Sequence, residues 1–301
     1  MEIIFVGNYK GGVGKTTSTL LLGRHLAHEN KKVLLLDLDS QSSLSELCIK
    51  NIDDFHFLED MDDTKTLNYI YDLEIENIKK GYNLDLSFDY QNLVYPYETN
   101  IDFIPTKITY KNSLGLDELC MNMDADIRYF SILAKLIKKV SEDYDYVLID
   151  CPPSSNVITQ SAFLVSDYYV IPTIADSVST NGIIHYIETI SKTYKKYCQL
   201  HEDAYLYKHY FGDEPKLIGV FYTLIRGQVN YVDIESILSA ELQRISSESG
   251  DPIYIFESFT NNYVGITRAI ANNELDTLPP SKDTYDTIMR EMLERMETLG
   301  S

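Results

Sequence analysis

The sequence predicts an α/β fold, a doubly wound and mostly parallel sheet with helices on both faces. Short apolar runs typical of buried strands alternate with helical patterns along the chain. The 301 residues are 44% hydrophobic, which is enough for one sizeable core. No Gly/Ser-rich or Pro-rich linker divides the alternating pattern. We therefore expect a single domain over residues 1–301.

Each predicted strand is a short apolar run bounded by polar residues or glycine. Strands are expected at residues 3–7, 32–37, 101–105, 146–150, 168–172, 217–223 and 252–256. Helices are expected to begin at Lys15, Asp126, Val157, Thr180, Val232, Tyr263 and Ser281. In the last helix Ile288, Met292 and Met296 recur at every fourth position, which predicts an apolar face docked on the domain.

Composition excludes several classes of protein. The four cysteines are scattered without a CxxC pair, which argues for a reducing compartment and against a zinc or disulfide framework. No basic and then apolar segment precedes the first strand, and the apolar runs are too short to span a membrane. We therefore expect a cytoplasmic protein that does not enter the membrane.

A glycine-rich segment between the first strand and the first helix is the strongest functional signal. It consists of Lys10, Gly11, Gly12, Val13, Gly14, Lys15, Thr16 and Thr17. The glycines let backbone N–H groups surround a phosphate chain, and the N-terminus of the helix favours the same anion. Lys15 supplies a cation for the β/γ oxygens, and Thr16 a hydroxyl for Mg²⁺. The segment predicts an ATP-binding phosphate loop.

This loop departs from the strict P-loop pattern, because Tyr9 stands where that pattern has glycine and Lys10 adds a second lysine. The form with two lysines resembles the deviant Walker A loop of the ParA/MinD family of ATPases. That resemblance implies a P-loop NTPase fold of the deviant Walker A type, with ATP and Mg²⁺ as cofactors. It also implies that Lys10 reaches the nucleotide of a second subunit, so that ATP binding forms a homodimer.

Two later segments extend the resemblance. Residues 33–41 are similar to the family's second-strand motif, which implies that Asp39 positions the attacking water and lies near the metal. Ser40 stands where that motif usually has proline. Residues 144–154 are similar to the Walker B strand, which implies Asp150 as a magnesium-side carboxylate. Residues from about 45 to 100 lie outside the resemblance and are expected to be a family-atypical acidic insertion.

Within that insertion, residues 52–63 carry six acidic side chains and no lysine or arginine. A solvated or disordered acidic loop is the ordinary interpretation of such a run. A loop that binds a partner is the alternative, because the run follows Asp39 and would lie near the nucleotide.

The resemblance favours plasmid or chromosome partitioning. The ATP dimer would bind DNA without sequence preference, associate with the nucleoid, and be released when a centromere-binding ParB-like partner stimulates hydrolysis. Candidate DNA contacts are Lys192, Lys195, Lys196 and Arg226. The net charge of −20 opposes DNA binding over the whole surface, so a local patch is required.

Other functions remain open at this point. One is a cargo-positioning or regulatory ATPase of the same family that acts without DNA. Another is a metabolic ATP-dependent amidoligase. An electron-transfer reductase with an iron–sulfur cluster is disfavoured by the missing CxxC.

Overall fold

The computed structural model describes residues 1–50, 57–82, 88–111, 115–121, 123–124, 126–174, 179–225, 253–261 and 284–300, with residues 236, 240, 269 and 274. The strands are β1 Glu2–Val6, β2 Val33–Asp37, β3 Tyr95–Glu98, β4 Ile101–Ile104, β5 Tyr146–Asp150, β6 Tyr168–Ile174 and β7 Lys216–Thr223. They form one sheet in the order β3-β4-β2-β5-β1-β6-β7. Neighbouring strands are parallel except β3 and β4, which are antiparallel. The predicted fold class is confirmed.

The helices connect the strands in the order that the sequence predicts, with several additions. They are α1 Lys15–His28, α2 Ser43–Ile49, α3 Leu67–Lys79, α4 Leu116–Cys120, α5 Ile127–Val140, α6 Val157–Val165, α7 Ser179–Tyr194, α8 Ala204–Phe211 and α9 Tyr285–Gly300. Short 3₁₀ turns cover Leu58–Asp60, Asp63–Lys65 and Tyr90–Leu93, and a wider π-type turn covers Lys195–Gln199. The helices predicted to begin at Val232 and Tyr263 lie almost wholly outside the described residues.

Three expectations need correction. The last helix begins at Tyr285 and not at Ser281. Residues 253–256 form no regular strand, but pair with β7 through one isolated parallel bridge between Ile255 and Val220. The edge strand β3 was not predicted, because Pro96 interrupts a run of only four residues.

Alternation along the central strand explains why helices cover both faces. In β1, Ile3 and Phe5 belong to one core cluster, and Ile4 and Val6 belong to another. Successive side chains of a strand point to opposite faces, so the two clusters are the two sides of the sheet. The first cluster includes apolar residues of α3, α5, α6 and α7, and the second includes those of α1, α2 and α9.

The apolar stripe of the last helix packs as the sequence predicts. Ile288, Met292 and Met296 are buried in the same cluster as the apolar residues of α1. The Tyr285 hydroxyl lies 3.1 Å from the Ser18 hydroxyl of α1. The chain therefore returns at its C-terminal end to the helix that follows β1.

The described part of the acidic segment is anchored by one buried lysine. Lys107 Nζ donates to the carbonyl oxygens of Met61 and Glu59, at 2.9 and 3.3 Å, and to Asp63 Oδ1 at 2.7 Å. Leu58 and Met61 are buried in the core. Residues 57–63 are therefore anchored through Lys107, while Glu59, Asp60 and Asp62 are exposed, which agrees with a solvated acidic loop. Residues 51–56 lie outside the described residues.

Candidate functional site

Three neighbouring strands bring the predicted site residues to one edge of the sheet. β5 lies between β2 and β1, and Asp37 is paired in register with Asp150 at the carboxyl ends of β2 and β5. The glycine-rich loop follows β1 at the same end. Ligands of open parallel sheets bind at this edge, so the topology places the loop beside the two carboxylates.

Backbone conformation accounts for two glycines of the loop. Gly12 and Gly14 have φ of 71° and 80°, in the left-handed region that favours glycine. A Cβ at Gly11 or Gly12 would meet no atom within 4 Å, so conformation and not crowding accounts for Gly12. Gly14 precedes the first turn of α1, whose N–H groups therefore face the loop. This arrangement suits a bound anion.

The glycine-rich loop is anchored by hydrogen bonds from residues that the sequence analysis did not identify. Asn8 Nδ2 donates to the carbonyl oxygen of Pro172 at 3.0 Å, and Asn8 Oδ1 accepts from the Lys10 amide at 2.9 Å. The Thr223 hydroxyl lies 2.8 Å from the carbonyl oxygen of Val13. Asn8 and Thr223 thus join the loop to the ends of β6 and β7. Their signal in the sequence is that both are polar residues at the carboxyl end of a strand.

Packing explains the departure at Tyr9. Its ring lies edge-on to the Tyr186 ring of α7, with centroids 4.8 Å apart, and 5.5 Å from the ring of His185. Tyr9 therefore fixes the start of the loop to α7. Lys10 follows it, and the carbonyl oxygen of Lys10 accepts a hydrogen bond from Lys15 Nζ at 3.2 Å.

Asp37 is a buried carboxylate whose oxygens are both hydrogen-bonded. Its Oδ2 accepts from the amide and the hydroxyl of Ser45, each at 2.8 Å, and its Oδ1 accepts from the Asp39 amide at 3.1 Å. Burial raises the pKa of Asp37 to about 7, although the bonds from Ser45 and Asp39 oppose the rise. Asp37 thus positions the backbone of Asp39, a role that the sequence did not predict.

Asp150 lies beside Asp37 but, unlike Asp37, its carboxylate is poorly hydrogen-bonded. It is buried, and among the described residues its carboxylate oxygens have no well-formed hydrogen bond, although the Thr16 hydroxyl interacts with them more weakly. Burial raises its pKa, and the charge of Asp37 raises it further. The Thr16 hydroxyl and the Lys15 ammonium are near enough to oppose part of that rise. An unsatisfied buried carboxylate beside a lysine and a hydroxyl is chemically suited to a cation.

Lys15 places a buried positive charge beside Asp150 and Asp39. Its side chain is 8% exposed, and burial lowers its pKa while the charges of Asp150 and Asp39 raise it. Asp39 itself is half buried in the loop after β2, where its Oδ1 accepts from the Gln41 amide at 2.9 Å. The structure therefore brings Lys15, Thr16, Asp39 and Asp150 into one site.

The donor set limits what kind of metal site this can be. In the part of the chain that the structure describes, no group of three or more His, Cys, Asp or Glu side chains is arranged to hold a metal. Mg²⁺ is typically held by one or two carboxylates together with substrate phosphates. Asp150, Asp39 and the Thr16 hydroxyl fit that pattern.

The described candidate DNA-binding lysines lie at the end of α7 and in the turn after it, and not in the phosphate loop. Lys192, Lys195 and Lys196 are exposed and lie about 20–26 Å along the helical segment from the start of α7, at about 1.5 Å per residue. Lys192 pairs with Glu188 at 2.7 Å, and Lys196 Nζ lies 4.6 Å from the centroid of the Tyr197 ring. Arg226 lies outside the described residues.

Among the described residues, no helix combines the length and the apolar character that crossing a bilayer requires.

Comparison with known proteins places the chain in a family. A family model described as an AAA domain (AAA_31) matches residues 1–201. The sporulation initiation inhibitor protein Soj of Bacillus subtilis (strain 168) is 30% identical over 190 residues, which are 63% of this chain and 64% of that protein. The chromosome-partitioning ATPase Soj of Treponema pallidum (strain Nichols) is 28% identical over 190 residues, 63% of each chain. The match thus spans less than two thirds of these relatives.

Solved structures share the fold. A putative plasmid partition protein of Borrelia burgdorferi B31, bound to AMPPNP, superposes with a TM-score of 0.66 at 21% identity, over 99% of this chain and 98% of that chain. An ATP complex of Cyanothece McdA gives a TM-score of 0.68 at 20% identity, over 100% and 96%. Because the family model covers more than half of the 301 residues, the chain belongs to the ParA/MinD-like AAA domain family of P-loop NTPases.

Proposed function

We propose that the protein is a Mg-ATP-dependent ATPase that dimerises on binding ATP and acts in plasmid or chromosome partitioning. One observation carries the proposal. The carboxyl ends of β1, β5 and β2 bring the phosphate loop, the unsatisfied carboxylate of Asp150 and the loop of Asp39 to the same place. The Soj relatives and the plasmid partition fold neighbour support the biological role.

The residues of the site fit ATP and Mg²⁺. The loop from Lys10 to Thr17 would surround the phosphates, with Lys15 on the β/γ oxygens. Thr16, Asp150 and Asp39 would hold the metal. The bound Mg-ATP supplies the phosphoryl group and a divalent charge; the protein contributes position and charge, which is most of what phosphoryl transfer requires.

Asp39 and Lys10 have separate roles in this proposal. Asp39 orients water in line with the terminal phosphate. The hydrogen bond that its backbone amide donates to the Asp37 carboxylate keeps the backbone of that loop in place. Lys10 acts across the interface on the nucleotide of the second subunit. Hydrolysis then releases the dimer, so ATP serves as a dimerisation switch.

Partitioning also requires DNA and a partner. The ATP dimer would bind duplex DNA without sequence preference through Lys192, Lys195, Lys196 and Arg226, and a centromere-binding ParB-like protein would stimulate hydrolysis. Dimerisation doubles a weak basic patch. Binding is expected to be modest and strongly dependent on salt, because the net charge of the chain is −20.

Three variants test the ATPase. Lys15→Ala should lose ATP binding, because the charge on the β/γ oxygens is left unbalanced. Asp39→Ala should bind ATP and dimerise but lose hydrolysis by ~10²-fold or more. Lys10→Ala should bind ATP and remain monomeric. Phosphate release, nucleotide binding and light scattering separate these outcomes, with the exposed Lys31→Ala as control. Hydrolysis by Lys15→Ala at the wild-type rate would contradict the proposed site.

A matched pair of triple variants tests the DNA surface. Replacing Lys192, Lys195 and Lys196 by alanine should flatten the log–log salt dependence by up to about five units per dimer, at about 0.9 per phosphate contact. The control replaces three exposed lysines of α5, Lys135, Lys138 and Lys139, and removes the same charge. Fluorescence anisotropy with ATP at several salt concentrations measures both. Equal effects of the two triples would exclude a specific patch, and no binding at low salt would favour the regulatory alternative.

A further inference from the structure

A short helix presents one carboxylate between the two loops of the site. α4 is fixed to the core, because Leu116 and Leu119 are buried at 1% and 2% exposure. Asp117 lies on the exposed side of the same helix. Its carboxylate is therefore held at a defined place although it faces solvent.

Each oxygen of Asp117 accepts a hydrogen bond from a different loop. Oδ2 accepts from the Ser40 hydroxyl, and Oδ1 accepts from Asn156 Nδ2 at 3.2 Å. Ser40 directly follows Asp39. Asn156 follows Asp150 by six residues in the chain. One side chain thus connects the loop after β2 with the loop after β5.

Both donors are themselves fixed to their loops. Asn156 caps α6, where its Oδ1 accepts from the Thr159 amide at 2.9 Å. The loop of Ser40 is closed by the bond from the Ser42 amide to the Asp39 carbonyl oxygen, at 2.8 Å. A displacement of either loop must therefore stretch its bond to Asp117.

We propose that Asp117 is a positioning residue that holds the Asp39 loop and the loop after Asp150 in one arrangement through Ser40 and Asn156. The inference rests on the proposed function, since Asp39 and Asp150 are the groups whose relative position it sets. A carboxylate suits the role because it offers two acceptor oxygens and makes charge-assisted hydrogen bonds. Because the bonds are exposed, they contribute little to global stability and act mainly on the two loops.

Amide hydrogen exchange of the protein without nucleotide tests the connection directly. Asp117→Ala should raise exchange about threefold to tenfold in residues 38–46 and in residues 154–162, because both loops lose their bond to α4. Ser40→Ala should raise it in residues 38–46 alone. Ser40→Thr keeps the hydroxyl and should exchange as the wild type does. Glu142→Ala removes an exposed charge away from both loops and serves as control.

Steady-state ATPase kinetics tests the consequence. Asp117→Ala and Ser40→Ala should each lower kcat about threefold to tenfold with KM changed less than twofold, and Ser40→Thr should restore kcat. The double variant should be no slower than Asp117→Ala, since both substitutions break the same bond. The melting temperatures should stay at the wild-type value, which separates positioning from folding.

Two results would overturn the inference. One is wild-type exchange in both loops of Asp117→Ala. The other is a double variant whose loss of kcat is the product of the single losses. A wild-type protein without ATPase activity would instead contradict the proposed function, and the exchange measurement would still decide whether Asp117 joins the loops.

Discussion

Replacing Asp150 by asparagine is expected to stabilise the protein in the absence of nucleotide. The carboxylate is buried beside Asp37 and interacts with the Thr16 hydroxyl, and the amide oxygen of asparagine can still accept from that hydroxyl. Burial and the charge of Asp37 raise the pKa of Asp150 above its ordinary value of 3.8. Ionisation of this group therefore costs free energy in the folded chain and not in the unfolded one.

The pH dependence follows from that direction. Below pH 3.8 the carboxyl is protonated in both states, and its contribution to stability is complete. As the pH rises, the unfolded chain releases its proton first, so stability is lost until the folded carboxyl is also ionised. For the neighbouring Asp37 this range runs from 3.8 to about 7. Asp150→Asn should abolish the Asp150 part of this loss and leave the part that burial of Asp37 causes.

The expected gain can be sized from the cost of an unsatisfied buried polar group, about 1–3 kcal/mol and more when it is charged. At pH 8 we expect a gain on the order of 2 kcal/mol, or roughly 4 °C in melting temperature for a chain of this size. Scanning calorimetry from pH 4 to pH 8 measures it. Asp143→Asn, at an exposed position, corrects for the loss of one negative charge.

With Mg-ATP bound, the wild type should become more stable than Asp150→Asn. A ligand that binds only the folded state raises its stability in proportion to affinity, so the wild type should gain more from Mg-ATP than Asp150→Asn. A gain in the variant that is equal at pH 4 and pH 8, or a loss of stability without nucleotide, would refute the account of Asp150 as an unsatisfied buried carboxylate.

Two further substitutions test the packing. Gly7→Ala places a methyl group directly on the Tyr186 hydroxyl and should lower the free energy of unfolding by about 1–3 kcal/mol in urea denaturation, with partial recovery in a Tyr186→Phe background. No loss would contradict the close approach of α7 to β1. Met292→Ala should cost about 2–5 kcal/mol, because this buried side chain joins α9 to α1. Met121→Ala, at an 84% exposed position, should cost less than about 0.5 kcal/mol, and equal losses would contradict the docking of α9.

The parallel strands could be predicted because they are buried on both faces. Such strands are continuous apolar runs, and β5 was predicted with both ends correct. α3 was missed although Leu67, Ile70, Tyr71 and Ile75 have helical spacing and are buried. α3 lies within residues 45–100, which were interpreted as a family-atypical acidic insertion and were assigned no helix.

The site could be predicted only in part, because some of its residues are close in sequence and others are brought together only by the fold. Lys15 and Thr16 belong to one continuous loop, and Asp150 ends a strand, so local sequence suffices to find them. The supporting hydrogen bonds join residues that are far apart in the chain. Thr223 lies 210 positions from Val13, and the Ser45 hydroxyl accepts from the Thr106 amide 61 positions away. Sequence spacing does not reveal such pairs, because the order of strands in the sheet decides them.

The two neighbouring aspartates have different tasks although they lie in register. Both carboxylate oxygens of Asp37 accept hydrogen bonds from Ser45 and Asp39. Asp37 therefore positions the loop after β2 and has little capacity left for a ligand. Among the described residues Asp150 has only a weak interaction with the Thr16 hydroxyl, which leaves its oxygens poorly hydrogen-bonded at a cost in stability. A carboxylate that only supported the fold would be expected to acquire hydrogen bonds, because each would lower that cost. The retained cost at Asp150 is therefore the observation within the fold that supports the proposed cation site at this position.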